Sequence, residues 1–297
     1  MAFTVCAFII FLICGMDFTG AVNHALSTVS AGGFSTYNES AAYFDDVYVE
    51  GWMTFFMVLA GGNFGLYYRA YHKGAAVLLK DTEFKAYLSI LVVAAIIIIG
   101  DLMVELDSDF FTALRYAAFQ TASIATTGFV SADYDRWPVL SKFVLMGLMI
   151  CGGCAGSTAA GLKISRVVIL FRSVRSTVLH LLYPKHVVEV MMNGTTLHDS
   201  TVLRVGQYFF MYIFFILFFA LLLAFDGVGG FDALGISVST MGCIGPAFGV
   251  TGATCTYADL SWFSKTVICF SMLLGRLEIF TILVMLRPGL WKGKNTW

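Results

Sequence analysis

The strongest constraint in this sequence is an apolar run too short for the place its composition sends it. Phe110 to Ala122 reads as helix, yet at about 1.5 Å of rise per residue it covers about 20 Å, against about 30 Å of bilayer hydrocarbon. It can enter a membrane but not cross it. It runs into Ser123-Ile-Ala-Thr-Thr-Gly-Phe129, and the design recurs twice. Asp17 to Phe34 ends in Ser27-Thr-Val-Ser-Ala-Gly-Gly-Phe34, and Phe231 to Gly249 passes through Ser239-Thr-Met-Gly-Cys-Ile-Gly-Pro246. Each copy sits between one long apolar segment before it and one after it, so the chain reads as a tandem array.

With 59% hydrophobic and only 12% charged residues, the solvent of such an array is lipid. Met1 to Met16 has no basic n-region and no small-residue cleavage site, which argues against a secretory signal. The seven Cys lie mostly in apolar runs, and Cys151-Gly-Gly-Cys154 reads as small packing residues. No Cys/His/Asp spacing suits zinc, His24 reads as structural, and no nucleophile elbow, phosphate loop or basic stripe for nucleic acid is present.

Three repeats follow, over residues 1–70, 71–180 and 181–297. The first has Ala2 to Met16 going in, the re-entrant run Asp17 to Ser30, and Trp52 to Tyr68 coming out. Its incoming helix is short for a span, so either residues precede it or it tilts the local bilayer. The second has Phe84 to Gly100, the run Phe110 to Ala122, and Trp137 to Phe171; the last would be about 52 Å long as one helix and should break at Cys151 to Leu162. The third has Leu203 to Phe225, Phe231 to Gly242, and Leu260 to Leu286.

Charge gives the orientation independently. Arg69, Lys73, Lys80, Lys85, Lys163, Arg166, Arg172, Arg175, Lys185, Arg204, Arg287, Lys292 and Lys294 fall between repeats or at the end, which puts those connections in the cytoplasm. Most of the 19 acidic residues flank the re-entrant runs, against Arg115 and Arg136. An outer mouth of one sign concentrates cations.

After each half-helix comes a turn of small residues with Gly at or near its tip. Irregular backbone at membrane depth survives only inside protein or along a wet cavity, and Gly permits the positive φ that turns carbonyls toward a common axis. Rings of carbonyls replacing a hydration shell are how potassium filters work. Arg276 lies about 26 Å along the last segment from Asp259, and an arginine at that depth needs an aqueous path or a partner. Glu278, two residues on, points elsewhere.

The stretches Leu26-Ser-Thr-Val-Ser-Ala-Gly-Gly-Phe-Ser-Thr36, Gly62-Asn-Phe-Gly65, Phe119-Gln-Thr-Ala-Ser-Ile-Ala-Thr-Thr-Gly-Phe129, Gly152-Gly-Cys-Ala-Gly-Ser-Thr158 with Gly161-Leu-Lys163, and Gly275-Arg-Leu-Glu-Ile-Phe-Thr281 resemble the Trk/Ktr/HKT superfamily of potassium transporters, on its bacterial Trk side. The resemblance covers essentially the whole chain. It implies an all-α polytopic membrane protein of tandem helix/re-entrant pore loop/helix repeats, potassium-channel-like, with three of the family's four repeats present. It implies potassium as the transported ion, a multi-pass plasma-membrane (bacterial inner-membrane) location, a homodimer and a cytosolic nucleotide-binding regulatory subunit. The family's first repeat has no counterpart here, so a separate chain would have to supply that wall.

By the same resemblance Ala31, Gly32, Gly33, Thr126, Thr127, Gly128, Cys243, Ile244 and Gly245 form the filter, with no other metal. Gly152, Gly153, Gly156, Ser157, Thr158, Gly161 and Lys163 form an intramembrane gate beneath it, although Lys163 also reads as a lysine snorkelling to the cytoplasmic face. Arg276 falls where the family places an arginine in the ion path below the filter, and is expected to act there as an electrostatic barrier. Two rival classes remain at this stage. One is a truncated, non-conducting fragment or assembly subunit; the other is a solute-coupled secondary transporter, which same-orientation repeats fit poorly.

Overall fold

The computed structural model describes residues 1–184 and 189–287. Lys185, Lys292 and Lys294, three of the expected cytoplasmic cations, and the end of the last expected repeat lie outside them. The helices are α1 (Ala2–Ile13), α2 (Phe18–Val29), α3 (Val47–Ala60), α4 (Phe64–Lys73), α5 (Ala76–Lys80), α6 (Thr82–Glu105), α7 (Phe110–Thr126), α8 (Val139–Cys151), α9 (Ile164–Leu182), α10 (Asp199–Phe225), α11 (Gly230–Met241), α12 (Trp262–Arg276) and α13 (Ile279–Met285). Among the described residues the only strands are β1 (Met191–Met192) and β2 (Thr195–Thr196), an antiparallel hairpin pairing Met191 with Thr196. The fold is all-α and polytopic.

By length and composition α6 and α10 are each sufficient to cross a bilayer. They expose Val92, Val93 and Ile96 on α6, and Phe210, Phe214, Leu217 and Leu221 on α10, as helices whose outer face meets lipid rather than water. The short helices α2, α7 and α11 are each flanked by an incoming and an outgoing helix, and neighbouring units meet as α3 against α7 and α8 against α11.

The outgoing segments depart from expectation. Trp52 to Tyr68 and Leu260 to Leu286 read as unbroken spans in the sequence, yet both are interrupted, as is Trp137 to Phe171. The first breaks after Ala60, where Asn63 starts a new helix by accepting the Leu66 N–H at 3.1 Å. The last turns by 106° between α12 and α13, at Glu278, whose φ is +59°. The middle one breaks at the expected place, but α9 runs on to Leu182. The helix α7 is also four residues longer than its apolar run, because Ser123, Thr126 and their neighbours are buried and continue the helical bonding.

The helix α7 belongs to both apolar cores. Phe119 and Ala122 pack with Phe11, Met53 and Phe56 of the first unit, while Ala113, Ala117 and Ile124 pack with the remainder. Two ion pairs through one arginine reinforce this join: Arg115 on α7 donates to Glu50 on α3 at 2.7 Å and to Asp45 at 2.8 Å. The Glu50 side chain is only 3% exposed and that of Asp45 is 82% exposed. Arg115→Gln strands a buried carboxylate and should cost about 3 kcal/mol, whereas Asp45→Asn should cost less than about 1 kcal/mol. Thermal melts of the purified protein in detergent should show a clear drop in Tm for the first and almost none for the second.

Candidate functional site

The helices α2, α7 and α11 end in turns that lead to glycines of positive φ: Gly33 at +70°, Gly128 at +94° and Gly245 at +108°. In the first and last turns a left-handed residue precedes the glycine, Ala31 at +55° and Cys243 at +52°. The helix end is then closed by Gly32 N–H to the Ser27 carbonyl (2.8 Å) and Ile244 N–H to the Ser239 carbonyl (3.0 Å). In the middle turn Gly128 itself makes that bond, to the Ser123 carbonyl at 2.8 Å. The middle turn is therefore one residue shorter, counted from Ser123 to Gly128 against Ser27 to Gly33 or Ser239 to Gly245. Thr126 is the last helical residue of α7, its hydroxyl bonded to the Ala122 carbonyl at 2.8 Å, and Thr127 caps the helix.

The three turns lie side by side in chain order. A methyl on Gly33 would meet the Thr127 carbonyl oxygen at 2.3 Å, and one on Gly128 would meet the Ile244 carbonyl oxygen at 1.8 Å. At Gly245 no heavy atom lies within 4 Å of that position. The carboxyl end of each short helix, the negative end of its dipole, leads directly into this cluster of backbone.

Behind each turn stands a serine that sequence reasoning did not single out. The Ser27 hydroxyl accepts the Phe34 N–H at 2.7 Å, Ser123 donates to the Phe129 carbonyl at 2.5 Å, and Ser239 donates to the Pro246 carbonyl at 2.7 Å. Each ties the last helical turn to the residue after the glycine. Their recurrence at the head of all three stretches was the available signal.

On the outer side, Arg115 and Arg136 are both paired with acids, Arg136 with Asp133 at 2.9 Å. Lys142 and Lys265, in the first turns of α8 and α12, add cations to a face expected to carry only those two arginines. Asp17 caps α2, and the Tyr37 phenol and Gly20 N–H hold its carboxyl below the usual range, so it stays ionised. Burial pushes Asp135 up, opposed by N–H bonds from Gly249 (3.1 Å) and Ala253 (3.2 Å). His24 is buried, with one ring nitrogen on the Gly20 carbonyl (2.8 Å), the other on the Ser35 hydroxyl (3.0 Å), and its ring stacked on Phe129.

On the opposite side of the turns the break after α8 folds into a closed loop. Leu162, Lys163 and Ile164 donate to the carbonyls of Ile150, Cys151 and Gly153 at 3.0 to 3.1 Å. Gly152, at φ +67°, packs against the Ala160 carbonyl and Gly161 against Gly152. Cys154 N–H reaches the Gly61 carbonyl (2.8 Å), Phe64 N–H reaches the Gly156 carbonyl (3.3 Å), and Gly153 lies against Gly61. The Ser157 hydroxyl closes on the Cys154 carbonyl at 2.7 Å, and the Lys163 ammonium turns back onto the Ala159 carbonyl.

Thr158 is the point of convergence. Its hydroxyl lies 3.1 Å from the carbonyl of Val29, the last residue of α2, and 3.3 Å from that of Ala60, the last of α3. Its own carbonyl accepts from Arg276 Nη1 at 3.0 Å. Glu278 does turn away from Arg276, pairing with Arg166 at 3.0 Å. The arginine and the loop, far apart in sequence, are thus one assembly beneath the first turn.

The spacing at the glycines makes a graded prediction. Gly33→Ala and Gly128→Ala bring both a positive-φ strain and a backbone clash, whereas Gly245→Ala brings the strain alone. Melts in detergent should show the first two losing at least about twice as much Tm as the third.

Comparison with known proteins places this geometry in a family. Residues 14–294 match the family model described as "TrkH: Cation transport protein". The chain is 34% identical over 295 residues to the Trk system potassium uptake protein TrkH of Halomonas elongata, covering 97% of this chain and 60% of that protein. It is 30% identical to the protein of that name from Escherichia coli K12, covering 94% and 58%. The crystal structure of the potassium transporter TrkH from Vibrio parahaemolyticus superposes with a TM-score of 0.91 at 29% identity, covering 98% of this chain and 63% of that one. The chain spans about 60% of the length of these relatives. It belongs to the TrkH family of cation transport proteins.

Proposed function

We propose that the chain forms three walls of a potassium-conducting pore in the plasma membrane, the inner membrane of a bacterium, with residues 1–70, 71–180 and 181–297 as successive pore repeats. The observation that carries this reading is the side-by-side packing of the turns at Ala31 to Gly33, Thr126 to Gly128 and Cys243 to Gly245, at the carboxyl ends of three short helices. The matched relatives are potassium uptake proteins by name, which supports potassium as cargo.

In this reading a potassium ion sheds water at the anionic outer mouth and is held by backbone carbonyls of the turns. The helix ends add negative potential, and a membrane potential contributes about 2.3 kcal/mol per charge per 100 mV. The 152–163 loop is the gate; opening it requires Thr158 to leave Val29, Ala60 and Arg276. The Arg276 guanidinium is a positive barrier below the filter. The process is transport, with no bond made or broken in the cargo.

The same reading includes a further helix/pore helix/helix repeat, which stands beside Gly245 and closes the filter; the open space there supports it. A second copy of the chain completes a homodimer, and a cytosolic nucleotide-binding subunit acts on the gate.

Rubidium uptake in cells lacking their own potassium systems tests the proposal. Uptake by this chain, co-expressed with a segment supplying the further repeat, should disappear with Gly128→Asp. With Arg276→Ala it should rise by about tenfold, the equivalent of a barrier lowered by about 1.4 kcal/mol. Uptake indifferent to Gly128→Asp would overturn the filter, and uptake indifferent to Arg276→Ala would overturn the barrier.

A further inference from the structure

The helix α9 begins in an unusual way. Its N-cap is Lys163, at φ +75°, with no side-chain cap of its own. The missing acceptor comes from another helix: Glu83, in the first turn of α6, takes the Ser165 N–H at 3.1 Å. The same oxygen, Oε1, also takes the Ala155 N–H at 2.5 Å. One carboxylate oxygen therefore bridges the start of the 152–163 loop and the helix that follows it, and Glu83 is 6% exposed. An anionic acceptor at a helix N-terminus, shared between two donors, is a strong tie.

The same two helices are joined again on the cytoplasmic side. The β1–β2 hairpin turns at Asn193 and Gly194, with φ of +50° and +81°. The Asn193 amide is docked on the start of α6, its oxygen accepting the Thr82 N–H at 2.8 Å and its nitrogen donating to Asp81 at 2.8 Å. Asp81 is itself the N-cap of α6, accepting the Phe84 N–H at 2.9 Å. From the other side Arg172 of α9 donates to the Met191 carbonyl of β1. The hairpin thus holds α6 and α9 at the surface, and Glu83 holds them next to the loop.

We propose that Glu83 and the Asn193 hairpin form a latch on the 152–163 loop, and that displacing the hairpin from the cytoplasm releases the loop. Glu83 is a positioning residue, and Asn193 is the handle by which a cytosolic partner reaches it. The inference rests on the reading of this loop as the gate, but its test does not require transport.

The readout is site-resolved alkylation by N-ethylmaleimide of the full chain in lipid nanodiscs. Cys154, fully buried and adjacent to Ala155, reports loop release, and the exposed Cys255, in the loop before α12, is the internal reference. Asn193→Ala and Glu83→Ala should each accelerate Cys154 labelling by about tenfold with the reference unchanged, as local opening becomes easier. Glu83→Gln, which keeps an acceptor oxygen in place, should restore the rate to within about twofold of the parent. An unchanged Cys154 rate in Asn193→Ala overturns the latch, and because that residue lies on an exposed hairpin the variant decides the matter even if Glu83→Ala does not fold. Faster labelling of Cys154 without a change in rubidium flux through the conducting assembly leaves the latch standing and removes the gate.

Discussion

A helix that stops inside a bilayer leaves its last carbonyls facing a solvent that cannot pair with them, and this fold is arranged around that problem. At the three turns the cost is met locally, by the N–H after a left-handed residue in the first and last turns and by that of Gly128 in the middle one, while a serine hydroxyl behind each turn holds the residue after the glycine. At the outgoing helices it is met by exchange between elements. The freed Gly61 carbonyl takes the Cys154 N–H, and the carbonyls ending α2 and α3 share the Thr158 hydroxyl. Groups orphaned by one break are therefore the partners of groups orphaned by another.

That exchange explains why a loop at this depth has a defined shape. The 152–163 loop has few side chains large enough to pack, so its conformation rests on hydrogen bonds in a medium where each unmade bond is expensive. Its partners come from the ends of α2 and α3, from α6 through Glu83, and from α12 through Arg276. Movement of any of these elements alters the loop directly.

Much of this was legible in the sequence because hydrophobic length and charge sign act along the chain. The short run at Phe110 and the break after Cys151 follow from counting residues against bilayer thickness, and the three glycine turns from the recurrence of one pattern. The breaks at Gly61 to Asn63 and at Glu278 were not legible, since both lie in apolar segments of adequate length and depend on partners from elsewhere: Asn63 beside the loop, and Arg166 on α9. Glu83 was invisible for the same reason. A single acid near a helix start resembles any first-turn acid, and only the fold brings it to residues 72 and 82 positions away.

The shorter middle turn has a consequence of another kind. In an assembly of identical subunits every substitution is copied into every turn, so selection can only alter the set as a whole. Here the turns differ in length, in the residue that takes the left-handed position and in how closely each glycine is pressed by its neighbour. Each turn is a separate mutational target, and the carbonyl geometry of the cluster can be adjusted one side at a time.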